Sequence, residues 1–182
     1  MTRFPVKIKY RSTLIQFCTI VFISSLLTGL SAQSDPSPQF PDPESMVRHL
    51  YDQVTFDKDN TPDWHHIRTL FIPNATIVMR TSREETTTLT LDGWILDFVN
   101  FIHDRDITST GFEEKVIKVK SMVFGDIAQV LVLYTSFIPS VTKSPREGVD
   151  SFHLVRQEGT WKIVSILNEI PGPDRPSATI FR

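Results

Sequence analysis

From residue 44 onward the apolar positions recur with helical spacing. Met46, Val47, Leu50, Tyr51 and Val54 form one stripe of an amphipathic helix. Asp42 and Glu44 favour its start through the helix macrodipole. The polar run Asp57-Lys58-Asp59-Asn60 ends the pattern. Thr61-Pro62 then reads as an N-cap followed by proline at the first helical position, and Trp64, Ile67, Leu70 and Phe71 make a second stripe that Pro73 stops. Residues 74–80 read as a short strand, and 86–90 as a segment that pairs with it or forms a nearby edge. A third helix is predicted over 92–104, with Trp94, Ile95, Phe98, Val99, Phe101 and Ile102 within one broad apolar face.

Past Gly111 the periodicity changes. Segments 112–123, 126–139, 147–157 and 160–170 read as long strands, joined by Gly125-Asp126, the loop 140–146 and Glu158-Gly159. Such connections make an antiparallel meander. The predicted fold class is therefore α+β: about three N-terminal helices, then a strongly twisted antiparallel sheet. Two of the strands are apolar on both faces. Ala128, Val130 and Val132 oppose Leu131 and Leu133, while Ile163 and Leu167 oppose Val164 and Ile166. A sheet with one wet face would alternate polar and apolar residues. Helices cover one face; a cavity, a partner subunit or both must account for the other.

The N-terminus has a different character. Arg3, Lys7, Lys9 and Arg11 precede an uncharged, mainly apolar run that ends in Gly29-Leu30-Ser31-Ala32, and no acid occurs before Asp35. This is the secretory-signal pattern, with cleavage expected after Ala32 and a retained membrane anchor as the alternative. The expected organisation is a signal peptide over 1–32, a proline-rich leader over 33–43 and one domain over 44–182. Location would then be secreted or periplasmic, with membrane contact only through an uncleaved N-terminal segment.

Composition sharpens this reading. The whole chain of 182 residues carries a net charge of −2, but without its first 32 residues it has 15 basic residues against 21 acidic ones, a net −6. No basic field exists to hold nucleic acid. The single cysteine, Cys18, lies in the signal segment, so thiol chemistry is excluded from the processed domain. No Gly-x-Ser-x-Gly, P-loop or dinucleotide fingerprint occurs. His65-His66 lacks the i, i+4 spacing of a helical metal site and reads as a solvated pair, so no metal is expected. Glu113 and Glu114, alternating with Lys115, Lys118 and Lys120, read as a charged exposed edge and not as a paired-carboxylate site. Asn74-Ala75-Thr76 fits an N-glycosylation sequon.

Three stretches carry a resemblance to a known superfamily. They are Asp63-Trp64-His65-His66-Ile67 through Val78; Phe124-Gly125-Asp126-Ile127-Ala128-Gln129-Val130 with Tyr134; and Gly148-Val149-Asp150-Ser151-Phe152-His153-Leu154, then Gly159-Thr160-Trp161-Lys162-Ile163. In order and spacing they resemble the nuclear-transport-factor-2-like (NTF2-like) superfamily, in its SnoaL-like or ketosteroid-isomerase-like branch. The resemblance implies a cone-shaped sheet wrapped around the helices, a pocket at the open end and dimerisation through the sheet. It also implies an Asp or His base facing a Tyr or Asp donor, because an apolar cone moves a carboxyl pKa toward neutrality.

On that pattern Tyr51 is the candidate donor, although the simpler reading, a tyrosine with its ring in the core and its hydroxyl in water, is preferred for this position. Asp150 and His153 are the candidate bases. Their odd separation puts them on opposite faces of one strand, so they cannot share a cone without a bulge. Tyr134, Asn168, Trp94 and Phe98 are the candidate pocket residues. No cofactor is expected. The leading expectation is a non-catalytic domain that binds a small hydrophobic ligand, as a homodimer. The rivals are a cofactor-independent lyase or isomerase acting on a hydrophobic carbonyl compound, and a pure interaction module.

Overall fold

The computed structural model describes residues 39–80, 84–174, 176, 177 and 181. The expected signal segment, and the leader as far as residue 38, lie outside the described residues. Helix α1 is Pro43–Val54, capped by the Asp42 carboxylate, which accepts the Ser45 N–H at 2.7 Å. Its stripe Met46, Val47, Leu50, Tyr51 and Val54 is buried throughout. Helix α2 is Trp64–Thr69, and its cap is Asp63, which takes the His66 N–H at 3.0 Å. The expected Thr61-Pro62 start is thus two residues early: the Asp63 side chain competes better for the cap than the threonine.

Strand β1, Phe71–Arg80, begins directly after α2 and runs through Pro73, which the stripe reading had placed as the end of a helix. Proline has no N–H for a sheet ladder, and its register is indeed interrupted between Phe71 and Thr76. Strand β2, Thr86–Thr90, pairs with β1, and Thr90 caps helix α3, Leu91–Asp104. The apolar face of α3 is narrower than expected, since Val99 is exposed.

Four long strands follow: β3 Glu113–Phe124, β4 Ile127–Phe137, β5 Arg146–Gln157 and β6 Thr160–Glu169. Their ends fall within two residues of the expected segments. Glu158 and Gly159 both have positive φ, as a two-residue type I′ hairpin turn requires. The sheet order is β2-β1-β6-β5-β4-β3. The meander is antiparallel, but β1 joins it parallel to β6, so the sheet is mixed. Local connection lengths predict only neighbours in sequence; the β1–β6 pair closes across the whole domain.

Helix α1 lies against β3, β4 and β6, and α3 against β1 and β2. The sheet's inner face buries Val130, Val132, Phe152, Leu154, Ile163 and Ile166 against them. Ile163 and Ile166 share that face because the β5–β6 register shifts between His153 and Leu154, pairing Leu154 with Ile163 and His153 with Ser165. A bulge of this kind reverses the alternation, which corrects the expected grouping of Ile163 with Leu167. Strand β3 is an edge, and the chain leaving α1 covers it. Phe56 and Phe112 exchange backbone hydrogen bonds at 2.9 Å each, and Thr55 bonds the backbone of Glu114. The start of this edge strand is thereby covered.

Candidate functional site

The polar residues of the inner face cluster at one end of the sheet. Asp150 on β5 is the register partner of Asn168 on β6, and Tyr134 on β4 is the partner of Gly148 on β5. Strand alternation turns Asp150 to the same side as buried Phe152 and Leu154. Tyr51 approaches from the last turns of α1 and donates to Asp150 Oδ2 at 2.6 Å. Asn168 Nδ2 donates to Asp150 Oδ1 at 2.8 Å and to Tyr134 Oη at 3.0 Å. The Tyr51 and Tyr134 rings stand 5.3 Å apart. Gly148 makes room for this arrangement, since a Cβ there would collide with the Tyr134 ring.

These groups line a cavity of about 510 Å³ between the helices and the sheet. Trp94, Phe98, Phe101 and Phe112 wall it opposite the polar cluster. The Phe98 ring meets Trp94 at 6.0 Å and Phe112 at 5.4 Å, edge to face. Arg80, which also lines the cavity, pairs with Glu169 at 2.9 Å. The size and the mix of apolar wall with a few convergent polar groups are those of a small-molecule site.

Burial governs the electrostatics. Asp150 is pushed up to about 6 by burial, against the hydrogen bonds from Tyr51 and Asn168, which favour the ionised form. Glu114, also in the cavity wall, is pushed up to about 8 by burial and then by the Asp150 charge. The Tyr51 and Tyr134 hydroxyls are held well above the ordinary tyrosine value, first by burial and next by Asp150. Burial thus favours the neutral form at Glu114 and at both phenols more strongly than at Asp150, which its two hydrogen-bond donors hold closer to the ionised state.

Of the residues singled out in the sequence, Tyr51, Asp150, Tyr134, Asn168, Trp94 and Phe98 all line this cavity. The Tyr51 hydroxyl is bonded to Asp150 and not wet. His153 is not among them: it is exposed on the outer face, 3.0 Å from Ser165 Oγ, and lines a separate outer concavity of about 460 Å³. It cannot serve as the base for a ligand held by Tyr51. His66 is not part of a solvated pair, since its Nε2 lies 2.8 Å from Nε2 of His49, whose pKa is lowered by burial and then by His66. Among the described residues no three His, Cys, Asp or Glu side chains are arranged to hold a metal.

Glu114 was missed. Read with its neighbours it looked like an exposed edge, and Glu113 and Lys115 are exposed. Yet Glu114 and Val116 alternate onto the inner face, paired with Ser136 and Tyr134. That short apolar-compatible alternation was the available signal, and the register shift between Val116 and Lys118 obscured it by reversing the parity of the lysines that follow.

No protein-family model matches the chain, and no curated protein does. Solved structures do. An NTF2-like protein with a cystatin-like fold from Novosphingobium aromaticivorans superposes with a TM-score of 0.55 at 16% identity, over 76% of this chain and 86% of that one. An uncharacterised protein with a cystatin-like fold from Caulobacter vibrioides gives 0.54 at 13%, over 72% and 88%. An NTF2-like protein of unknown function from Pseudomonas putida KT2440 gives 0.54 at 10%, over 70% and 83%. The chain is thus an α+β protein whose mixed, twisted sheet wraps its helices. More particularly, it has the NTF2-like fold.

Proposed function

We propose that the inner cavity binds a small, largely apolar molecule with one polar end, without a cofactor. One observation carries this: the Tyr51–Asp150–Asn168–Tyr134 chain of hydrogen bonds is held together at the wall of a cavity of about 510 Å³ whose remaining lining is largely aromatic and aliphatic. A merely structural core would fill that space with side chains. Calorimetric titration with a bicyclic aromatic probe, 2-acetylnaphthalene, tests it. Saturable binding at one site per chain is expected, weakened in Phe98→Ala; absence of heat and of any thermal stabilisation at saturating probe overturns it.

A second reading, proton transfer to and from a hydrophobic carbonyl compound as in an isomerase or lyase, is favoured by two buried carboxyl groups, Asp150 and Glu114, held to different extents toward the neutral form in one apolar cavity. Exchange of the probe's methyl-ketone protons for deuterium in D₂O, accelerated by the protein and lost in Asp150→Asn, would support it. Exchange at the uncatalysed rate leaves binding as the function.

The N-terminal pattern supports a secreted or periplasmic location for this activity. We further propose that the chain self-associates through the outer face, where Met122, Phe124 and Ile127 are 66%, 84% and 59% exposed. Light scattering reads this directly: a dimer is expected, and a monomer at high concentration contradicts it.

A further inference from the structure

Helix α2 has six residues, too few to be stable alone, so its contacts hold it in place. Its Ile67 is fully buried, the Asp63 carboxylate caps its start, and Lys162 from β6 bonds the Thr69 carbonyl at its end. A further contact joins it to α1, away from the inner cavity. His49 Nε2 and His66 Nε2 lie 2.8 Å apart, with the two rings close to perpendicular at 82°. The ring centres are 5.1 Å apart, about as far as a contact of that length between ring nitrogens permits. The two nitrogens therefore face each other along the line of centres. That is the geometry of a straight N–H···N hydrogen bond. A metal chelate would need both lone pairs to converge on a point off that line.

Such a bond has room for one proton between the facing nitrogens. One ring donates, and the other must keep a bare lone pair. A pair that is neutral, or that carries one positive charge, meets this condition. A pair with both rings charged does not, because two N–H groups then point at each other and two like charges meet at contact distance. The charged and titratable groups on the elements that meet here are Asp52 from α1, Asp63 and His65 from the start of α2, and Lys162 from β6. Arg68 of α2 is paired with Asp92 of α3. Asp52 favours a charged His49, but burial and then His66 outweigh it and hold the His49 pKa below the ordinary histidine value. Phe40, from the segment before α1, contributes to that burial: its ring centre is 5.1 Å from that of His49, and its N–H bonds Thr160 Oγ1 at 3.4 Å.

We propose that His49 and His66 are an acid-released latch between α1 and α2, shut while one proton lies between the facing nitrogens and open when each imidazole carries its own. The direction of release follows from linkage. The shut pair takes up its second proton less readily than two free histidines do, so the open form gains as pH falls below about 6.5, the ordinary histidine value. An exported chain, the location proposed above, meets the pH of its surroundings, and this is the range in which imidazole titrates.

The test is backbone hydrogen exchange of α2 in the whole chain, read at the Ile67 and Leu70 N–H groups, which bond the Asp63 and Ile67 carbonyls. After correction for the intrinsic pH dependence of exchange, protection is expected to fall roughly 3- to 10-fold between about pH 7.5 and 5, the scale of one lost hydrogen bond. His66→Gln, whose amide donates to His49 and takes up no proton, should keep full protection throughout. His66→Ala should be weakly protected throughout. His65→Gln, which alters the exposed neighbour, should behave as the parent does. Global unfolding is not the readout, because buried Glu114 acts on it in the opposite sense. A second measurement needs no variant. Nitrogen-15 NMR of the imidazoles should show one of His49 and His66 still neutral when the other is charged, with α2 protection lost only as the second ring charges. Level protection in the parent, a slope that persists in His66→Gln, or two charged rings beside a protected α2 each overturn the proposal.

Discussion

The sheet carries two concavities of similar size, about 510 Å³ on its inner side and about 460 Å³ on its outer side, and β5 lines both. Asp150 faces the first and His153 the second, three residues apart on one strand. The inner cavity gathers residues from α1, α3 and five strands, and four of its polar residues, Tyr51, Asp150, Asn168 and Tyr134, are bonded in one connected chain. The outer one is lined by Met122, Phe124, Ile127, Val155 and Val164, with His153 bonded only to Ser165. Volume and apolar character alone do not separate them. What separates them is whether polar groups converge in a place where burial changes their chemistry.

Substitutions on the two sides should differ accordingly. The largest effect is expected within the inner face: Phe152→Ala removes a ring that is 1% exposed and should cost about 3–5 kcal/mol in denaturant unfolding. Val155→Ala on the outer side of the same strand should cost under about 1.5 kcal/mol. Equal losses would break the comparison. Next, Gly148→Ala should cost about 1–3 kcal/mol, because its Cβ displaces the Tyr134 ring. Tyr134→Ala combined with it should cost less than the two separately, since the collision disappears; strict additivity would show that the two residues do not compete for space.

The pH dependence follows from the raised carboxyl values. Glu114 lies at about 8 in the folded chain and Asp150 at about 6, both above their unfolded values. The folded state thus holds protons that the unfolded state releases. Each group destabilises the fold progressively as pH rises from its unfolded value toward its folded one. Thermal stability should fall between about pH 4.5 and 8 on account of Glu114, and Glu114→Gln should flatten that slope. A parent profile that rises over this range, unchanged in the variant, contradicts the burial of Glu114. Smallest of all, His153→Ala should shift stability by no more than about 0.5 kcal/mol, as exposed substitutions usually do.

The residues that were legible in the sequence are those governed by local rules. The α1 stripe, the four long strands to within two residues at their ends, and the alternation that separates Asp150 from His153 depend on periods of 3.6 and 2. What was not legible depends on distant partners. The parallel contact of β1 with β6 joins segments about ninety residues apart. Three interruptions, at Pro73, after Val116 and beside Val164, shift register without any glycine to announce them. Glu114 was lost to the second of these, and it was also disguised by the charged neighbours that face the other way. The hydroxyl of Tyr51 could not be placed until its partner was known to lie 99 residues away.

The account turns on the claim that the inner cavity takes up a small apolar molecule and sets its polar end against the Tyr51–Asp150–Asn168–Tyr134 chain. The carbonyl stretch of bound, carbon-13-labelled 2-acetylnaphthalene, read by isotope-edited infrared difference spectroscopy, reports on that placement directly. A shift to lower frequency than in hexane is predicted, reduced in Tyr134→Phe and retained in His153→Ala. A bound probe whose carbonyl absorbs as it does in hexane, or whose shift is indifferent to the Tyr134 substitution, would contradict it.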